Sequence, residues 1–290
     1  MKKFLCSTLI CASLIVPVIN STGQTTNAVP PRVEVKEVSV MGGFMVLPSY
    51  GNTITMFNQL APNSNLLSLD LSEFTESSDF PVHTLGVFNT AFSLKFNAKD
   101  GSEKRNPLLR LGITYQGGRL LDKSMKYETR TPYDTLTSNQ TGTEVYVDSV
   151  YSNTIDMKYR TSQVMADIAV IWRSNPDFLL SLYGGLGFAG GISFDNRTII
   201  SGWESNYISN GGGYGDRSGE SREVFRNKSA YSALAYLPIG AGIRMSKSGF
   251  WQNIVFGVEM RPGISIISIP ELETYISAVF PVSFGCKVSW

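Results

Sequence analysis

The apolar and polar positions of the final stretch, residues 274–290, alternate almost without a break. Ile276, Ala278, Phe280, Val282, Phe284, Cys286, Val288 and Trp290 fall on one side of a two-residue period. Tyr275, Ser277, Val279, Pro281, Ser283, Gly285, Lys287 and Ser289 fall on the other. Successive side chains of a β-strand leave opposite faces, so this period predicts a strand with one apolar face and one small or polar face. Strands of soluble domains usually run about 5 to 6 residues, whereas a tilted strand crossing a bilayer needs about 9 to 11. The stretch is long enough to span a membrane.

Seven further segments carry the same period. Residues 37–47 set Val38, Val40, Phe44 and Val46 against Ser39, Met41 and Met45; residues 82–97 set Phe88, Phe92, Leu94 and Phe96 against Asn89, Ser93 and Lys95. Residues 108–116 oppose Leu109, Leu111, Ile113 and Tyr115 to Arg110, Gly112 and Thr114, and residues 159–173 oppose Val164, Ile168, Val170 and Trp172 to Gln163, Asp167 and Arg173. The cleanest, residues 178–195, opposes Leu180, Leu182, Leu186, Phe188 and Ile192 to Ser181, Tyr183, Gly185, Gly187 and Gly191. Residues 231–246 set Leu237, Ile239 and Ile243 against Tyr236, Gly240, Gly242 and Arg244, and residues 253–264 set Ile254, Phe256, Val258 and Met260 against Gly257, Glu259 and Arg261.

Eight such strands predict an all-β fold: an eight-stranded antiparallel up-and-down transmembrane β-barrel with long extracellular loops. Connections alternate in length as such a barrel requires. Residues 99–106, 174–177 and 247–252 are short turns, and residues 48–81, 117–158 and 196–230 are long. Both termini then lie on the short-turn side. Phe96, Trp172, Phe178, Phe250, Trp251 and Trp290 fall at that end of the strands, with Tyr115, Tyr159, Tyr231 and Tyr275 at the other, the positions of two interfacial aromatic girdles. A soluble sandwich or lipocalin-like barrel explains the alternation equally well, but not the strand length, the glycines of the polar face or both girdles.

At the N-terminus, Lys2 and Lys3 precede an apolar run from Phe4 to Ile19 and then Ser21-Thr22-Gly23. This pattern predicts a cleaved signal peptide over residues 1–23, a periplasmic lead over 24–36 and the barrel domain over 37–290. Cleavage removes Cys6 and Cys11, which leaves Cys286 without a disulfide partner. The near-neutral net charge of +1 provides no basic field for nucleic acid.

The long C-terminal strand ending on Trp290, with Phe284 and Phe280 behind it, resembles that of bacterial outer-membrane β-barrels, and the whole pattern resembles the OmpA/OmpX-like eight-stranded barrels and an uncharacterised Bacteroidetes outer-membrane barrel family. The resemblance implies export to the outer membrane of a Gram-negative bacterium, insertion by the barrel-assembly machinery through the C-terminal strand, and contact with outer-membrane lipid and lipopolysaccharide. Asp134-Thr135-Leu136 and Asp148-Ser149-Val150 resemble the short O-glycosylation sequon of Bacteroidetes.

With the apolar face outside, the lumen receives Lys95, Arg110, Asp167, Arg173, Arg244, Glu259, Arg261 and Lys287. An eight-stranded interior is narrow enough for side chains to fill. The expectation is therefore a closed lumen, its charges paired with one another and with Tyr183 and Tyr236, centred on Glu259 with Arg244 or Arg261. Glycines of the fifth and sixth strands leave room for long side chains. A narrow, porin-like ion or small-solute channel is the alternative.

Chemistry is sparse elsewhere. His83 stands near Ser77, Ser78 and Asp79, the composition a lipid-modifying outer-membrane enzyme would use, but no triad can be read from that spacing. No zinc motif, P-loop or Gly-x-Ser-x-Gly elbow is present, so no catalytic, cofactor-binding or metal-binding residue is assigned. The first long connection is acidic, with Asp70, Glu73, Glu76 and Asp79 and no Lys or Arg between residues 49 and 81; the expectation there is a solvated face. Alternation over 126–131 and 144–150 predicts that the third and fourth strands continue beyond the membrane as a hairpin with an edge for pairing. The third connection, glycine-rich from Gly211 to Gly219, is expected to be mobile. Long loops on a closed barrel point to surface interaction, with an extracellular protein or glycan as ligand, or to envelope integrity.

Overall fold

The structure is a computed structural model, and it describes residues 33–48, 52–76, 82–96, 107–137, 142, 144–174, 178–209 and 216–289. The signal-peptide reading, Trp290, and Ser77, Ser78 and Asp79 lie outside these residues.

All eight expected strands are present. They are β1 (Val33–Pro48), β3 (Val82–Phe96), β4 (Leu108–Thr137), β5 (Glu144–Arg173), β6 (Leu180–Ser193), the pair β9 (Tyr231–Tyr236) and β10 (Ile239–Arg244), the pair β11 (Ile254–Met260) and β12 (Gly263–Ser268), and β13 (Thr274–Ser289). Residues 33–36, expected in the lead, already belong to β1. The sixth and seventh strands break at one level, Leu237-Pro238 facing Arg261-Pro262. Neither proline has an N–H for the ladder, and the Leu237 N–H to Pro262 carbonyl bond (2.9 Å) carries the pairing past the gap.

Pairing is antiparallel throughout and cyclic. Starting at β1 it runs through β3, β4, β5 and β6 to β9/β10, β11/β12 and β13, and Val40↔Cys286 and Phe44↔Val282 bring β13 back to β1. Burial follows the period of two, but inside out. Ser39, Asn89, Ser93, Arg110, Asp167, Glu259 and Lys287 are buried, whereas Phe92, Ile113, Leu186, Phe256 and Phe280 are exposed.

Beyond one rim the fold exceeds the barrel. β4 and β5 each run 30 residues and stay paired from Leu108↔Ile171 to Thr137↔Glu144, the hairpin that the alternation over 126–131 and 144–150 predicts. Near Ser162 the ladder forks. Gln163–Arg173 of β5 pairs with β6, but Ser149–Arg160 pairs with β7 (Arg197–Ile208), which in turn pairs with β8 (Asp216–Arg226). The third long connection is thus mostly a two-stranded extension of the sheet. Residues 211–215 of the glycine-rich stretch expected to be mobile lie outside the described residues, whereas buried Thr198 and Ile200 alternate with exposed Arg197 and half-buried Ile199, and that period builds β7.

The first long connection folds over the mouth. Helix α1 (Ile54–Leu60) starts at Thr53, whose hydroxyl accepts the Met56 N–H at 3.3 Å. Phe57 and Leu60 point from it into an apolar cluster with Ala61, Leu67, Leu47, Leu85, Leu121, Ile155, Met157 and Ile200. Farther on, β2 (Thr75–Glu76) pairs with Lys126 and Met125 of β4. Burying side chains such as Phe57 and Leu60 contributes about 1.5–3 kcal/mol each, which explains why a 7-residue helix, too short to stand alone, is ordered here.

Candidate functional site: a buried charge network under a capped mouth

The barrel interior is stacked in tiers. At mid-height Glu259 of β11, fully buried, accepts both terminal nitrogens of Arg110 from β4 (Nη1 to Oε2 2.6 Å, Nη2 to Oε1 3.0 Å), Nε of Arg261 (2.6 Å) and the hydroxyl of Tyr183 (2.7 Å). Nη1 of Arg261 also donates to Asp167 of β5 at 2.8 Å. Asp167 further accepts from Thr114 (3.0 Å), Asn89 (3.4 Å) and, in a short hydrogen bond, the Tyr236 hydroxyl. Two carboxylates and two guanidiniums thus neutralise one another, with four of the guanidinium nitrogens bound to carboxylate oxygens, and such pairing is what lets buried ions be tolerated. The Arg261 guanidinium also lies 5.2 Å from the centre of the Tyr236 ring.

Two tyrosines close this tier because two glycines let them. Gly240 pairs with Tyr183, and Gly187 with Tyr236. A Cβ at either glycine would come within 2.3 Å of the facing ring, so each phenol lies flat on bare backbone and reaches a carboxylate across the lumen.

Toward the termini, Glu37 of β1 lies 3.4 Å from Arg173 and 3.9 Å from Lys287. The Lys287 ammonium sits 3.7 Å above the Tyr183 ring. Toward the other rim the contents turn neutral, with Gln163 donating to Gln116 at 2.6 Å and Thr161 to Asn196 at 2.8 Å. Above them lies the apolar cluster of the cap. Lys123, only 4% exposed, ties the cap down by donating to the Asn52 carbonyl (2.9 Å) and pairing with Glu76. Asn52 donates to the Asp122 carbonyl, Asn227 to that of Leu60, and Ser64 and the Asn65 N–H both reach Glu223 of β8.

Of the expected lumen residues, Arg110, Asp167, Glu259 and Arg261 come together at the centre, with Lys287 one tier below. Arg244 departs from its expected place beside Glu259: it stands near the terminal end of β10 and makes no ion pair among the described residues. Register explains this, since Arg244 faces Val255, four residues nearer the terminal end of β11 than Glu259. Lys95 is half-buried at the terminal end of β3, opposite Glu34 in the ladder. Glu37 is the acidic residue that sequence reasoning missed. Its signal was its phase, which is shared with Ser39 and Met41.

Among the girdle residues, Phe96, Trp172, Phe178 and Trp251 are exposed at one end and Tyr115 and Tyr231 at the other. Tyr275 is not a girdle residue, and neither is Tyr159. Both share the phase of buried neighbours, Ser277 and Thr161, and pack against the cap instead. In the first connection, Asp70 accepts the Ser72 N–H (3.0 Å), which holds its carboxyl below the usual aspartate range, and Glu76 is taken by Lys123. Among the described residues no group of His, Cys, Asp and Glu is arranged to hold a metal. His83 is buried on β3 opposite Leu47.

No protein-family model matches the sequence, and no curated protein does. Among solved structures the chain is similar to Neisserial surface protein A (9% identity, 89% of this chain and 99% of that one, TM-score 0.31). It is also similar to Ail, the attachment invasion locus protein of Yersinia pestis (13%, 88% and 99%, TM-score 0.26), and to OmpT, an outer membrane protein of Vibrio cholerae (8%, 90% and 98%, TM-score 0.15).

Proposed function

We propose that the chain is an outer-membrane β-barrel of a Gram-negative bacterium, closed to solutes, that acts through the capped sheet it raises above the bilayer. The observation that carries this reading is the inversion of burial around the ring. Side chains such as Phe92, Ile113, Leu186, Phe256 and Phe280 are exposed on every side while the charges are buried. Water would oppose so large a continuous apolar surface; lipid does not. On β13 the outward residues run from Ile276 to Val288, about 40 Å of strand at ~3.3 Å per residue and about 30 Å of height at the usual tilt, close to the ~25 Å apolar band of such barrels.

Display of a surface for an extracellular protein or glycan, or a contribution to envelope integrity, fits the closed interior better than conduction. The neutralised mid-tier and the apolar cap lie in series across the lumen. The protruding β4, β5, β7 and β8 form a broad polar sheet, and Tyr133 and Tyr146 are exposed toward its tip. Lipopolysaccharide and the barrel-assembly machinery are the partners this location implies.

Two measurements test the reading together. Protein in an isolated outer-membrane fraction should migrate faster unboiled than boiled in SDS, because a closed sheet leaves no edge for the detergent to open. Chymotrypsin added to intact cells should cut the hairpin beside exposed Tyr133 or Tyr146. A soluble periplasmic protein with no heat-dependent shift would overturn the membrane reading, and an uncut hairpin on intact cells would overturn the display reading.

A further inference from the structure

Just beyond the rim, the register of four neighbouring strands brings four arginines into one row. Arg119 of β4 stands opposite Arg160 of β5, Arg160 opposite Arg197 of β7, and Arg197 opposite Arg226 of β8. All four are exposed, while adjacent Leu120, Tyr159 and Thr198 are buried on the other face of the sheet. The row therefore lies on the outward face, and at about 4.8 Å between strands it is ~14 Å long.

Like charges set directly opposite in a sheet repel one another. Arg119 pairs with Asp122 and Arg197 with Asp195, each a near neighbour in sequence. Arg160 and Arg226 have no carboxylate partner among the described residues, and Asp156, the nearest acid on β5, is held by Lys158 at 2.8 Å. Guanidiniums aligned at one level and open to the outside select an anion with several acceptor oxygens, which phosphate offers in bidentate pairs.

Position and shape say which phosphate. The row stands four residues beyond Tyr115 on β4, about 13 Å of strand and ~9 Å of height at the usual tilt. Tyr115 and Phe194, their ring centroids 6.3 Å apart, mark the edge of the apolar band. Arginines at that height reach the headgroup layer, which extends ~5–8 Å beyond the hydrocarbon. Below the row, on the same β4 and β5, a groove indents the apolar wall where Ala166 and Gly190 stand among Phe92, Ile113, Ile168 and Phe188. We infer that the arginine row binds the phosphates of an outer-leaflet lipid headgroup, with an acyl chain of that lipid lying against the groove. The inference rests on the outer-membrane reading and names the part of the wall that holds the lipid.

The test uses the full chain refolded in non-ionic detergent, with folding checked by its unboiled mobility, and counts bound lipid by native mass spectrometry. The probes are diphosphorylated lipid A, the same lipid stripped of its phosphates, and inorganic pyrophosphate as competitor. Wild type should prefer lipid A to the stripped lipid by at least ~10-fold, which a single charge-assisted hydrogen bond supplies. Arg160→Gln/Arg226→Gln should lose that preference. Lys36→Gln/Lys247→Gln, which removes two cations at the opposite end of the barrel, should keep it. Equal binding by wild type and the arginine variant, or an equal loss in the lysine variant, would overturn the site. Displacement of lipid A by pyrophosphate at the same concentration would overturn a lipid as the occupant. Should the arginine variant not fold, phenylglyoxal labelling of wild type decides: protection of Arg160 and Arg226 by lipid A supports the site, and unchanged labelling overturns it. A wild-type chain without the heat-dependent shift fails the outer-membrane reading, whereas a shifting chain that does not distinguish the two lipids fails this inference alone.

Discussion

Glu259→Gln is the sharpest perturbation of the interior. The carboxylate accepts four hydrogen bonds, three of them from guanidiniums. Its amide successor offers one acceptor oxygen and turns an NH2 group toward an arginine. Arg261 keeps Asp167, but Arg110 has no other carboxylate among the described residues. Stranding one buried charge costs about 3–5 kcal/mol. Arg110→Met removes the other partner, yet leaves Glu259 bound to Arg261 and Tyr183, so its cost is smaller, about 1.5–3 kcal/mol, the worth of hydrogen bonds to a charged group. Combining the two removes the stranded cation. The double variant is therefore expected to be more stable than Glu259→Gln alone, although it carries one more lesion. Urea unfolding of the chain in phospholipid vesicles, followed by tryptophan fluorescence, measures all three. A Glu259→Gln variant within about 0.5 kcal/mol of wild type, the range of substitutions that touch nothing important, would refute the charge accounting, as would strict additivity of the two changes.

Gly187→Ala should destabilise by about 1–3 kcal/mol through overpacking against Tyr236, whereas Gly190→Ala, whose nearest neighbour would be 3.6 Å away, should be near neutral in the same assay. Phe57→Ala should cost the cap about 3–5 kcal/mol, seen as faster hydrogen exchange and proteolysis within residues 52–76 while the heat-dependent gel shift persists; equal loosening of barrel and cap would contradict their separation. Wild type in planar bilayers should show no steady single-channel current, and reproducible unitary currents would sink the closed-lumen reading. In the protruding hairpin, hydrogen bonds from Lys126 and Arg130 hold the Glu128 carboxyl below the usual glutamate range. A carboxyl with a lowered folded pKa contributes stability that is present above its unfolded pKa and lost as pH falls through the folded one. Hydrogen exchange at the hairpin should therefore quicken only under strongly acidic conditions, and quickening at neutral pH would contradict the pairing.

The ring of strands was legible in the sequence because a barrel wall has two unlike faces, and the period of two records them position by position. Central lumen residues followed from phase alone: Arg110, Asp167, Glu259 and Arg261 all oppose apolar neighbours. What phase does not give is height. Arg244 and Glu259 share an inward phase but lie at different levels, and only the register of β10 on β11 separates them. The cap was illegible for a different reason. Phe57, Leu60 and Leu67 are scattered apolar residues in a polar connection, and their burial depends on β4, β5 and β7 rising beside the mouth. Tyr159 and Tyr275 were misplaced by the same gap, since an aromatic at a rim serves a lipid interface or a cap according to the phase of its own strand.

The orientation of the barrel wall is the central claim, and site-directed spin labelling along β13 tests it directly. In a Cys286→Ser background, single cysteines placed from Ser277 to Phe284 carry the label in native outer-membrane vesicles. The expected result is alternation: labels at Ala278, Phe280, Val282 and Phe284 collide freely with oxygen and poorly with a water-soluble nickel complex, and labels at Ser277, Val279, Pro281 and Ser283 collide poorly with both. Free collision of the even-numbered labels with the nickel complex, or no alternation, would contradict a wall that faces lipid.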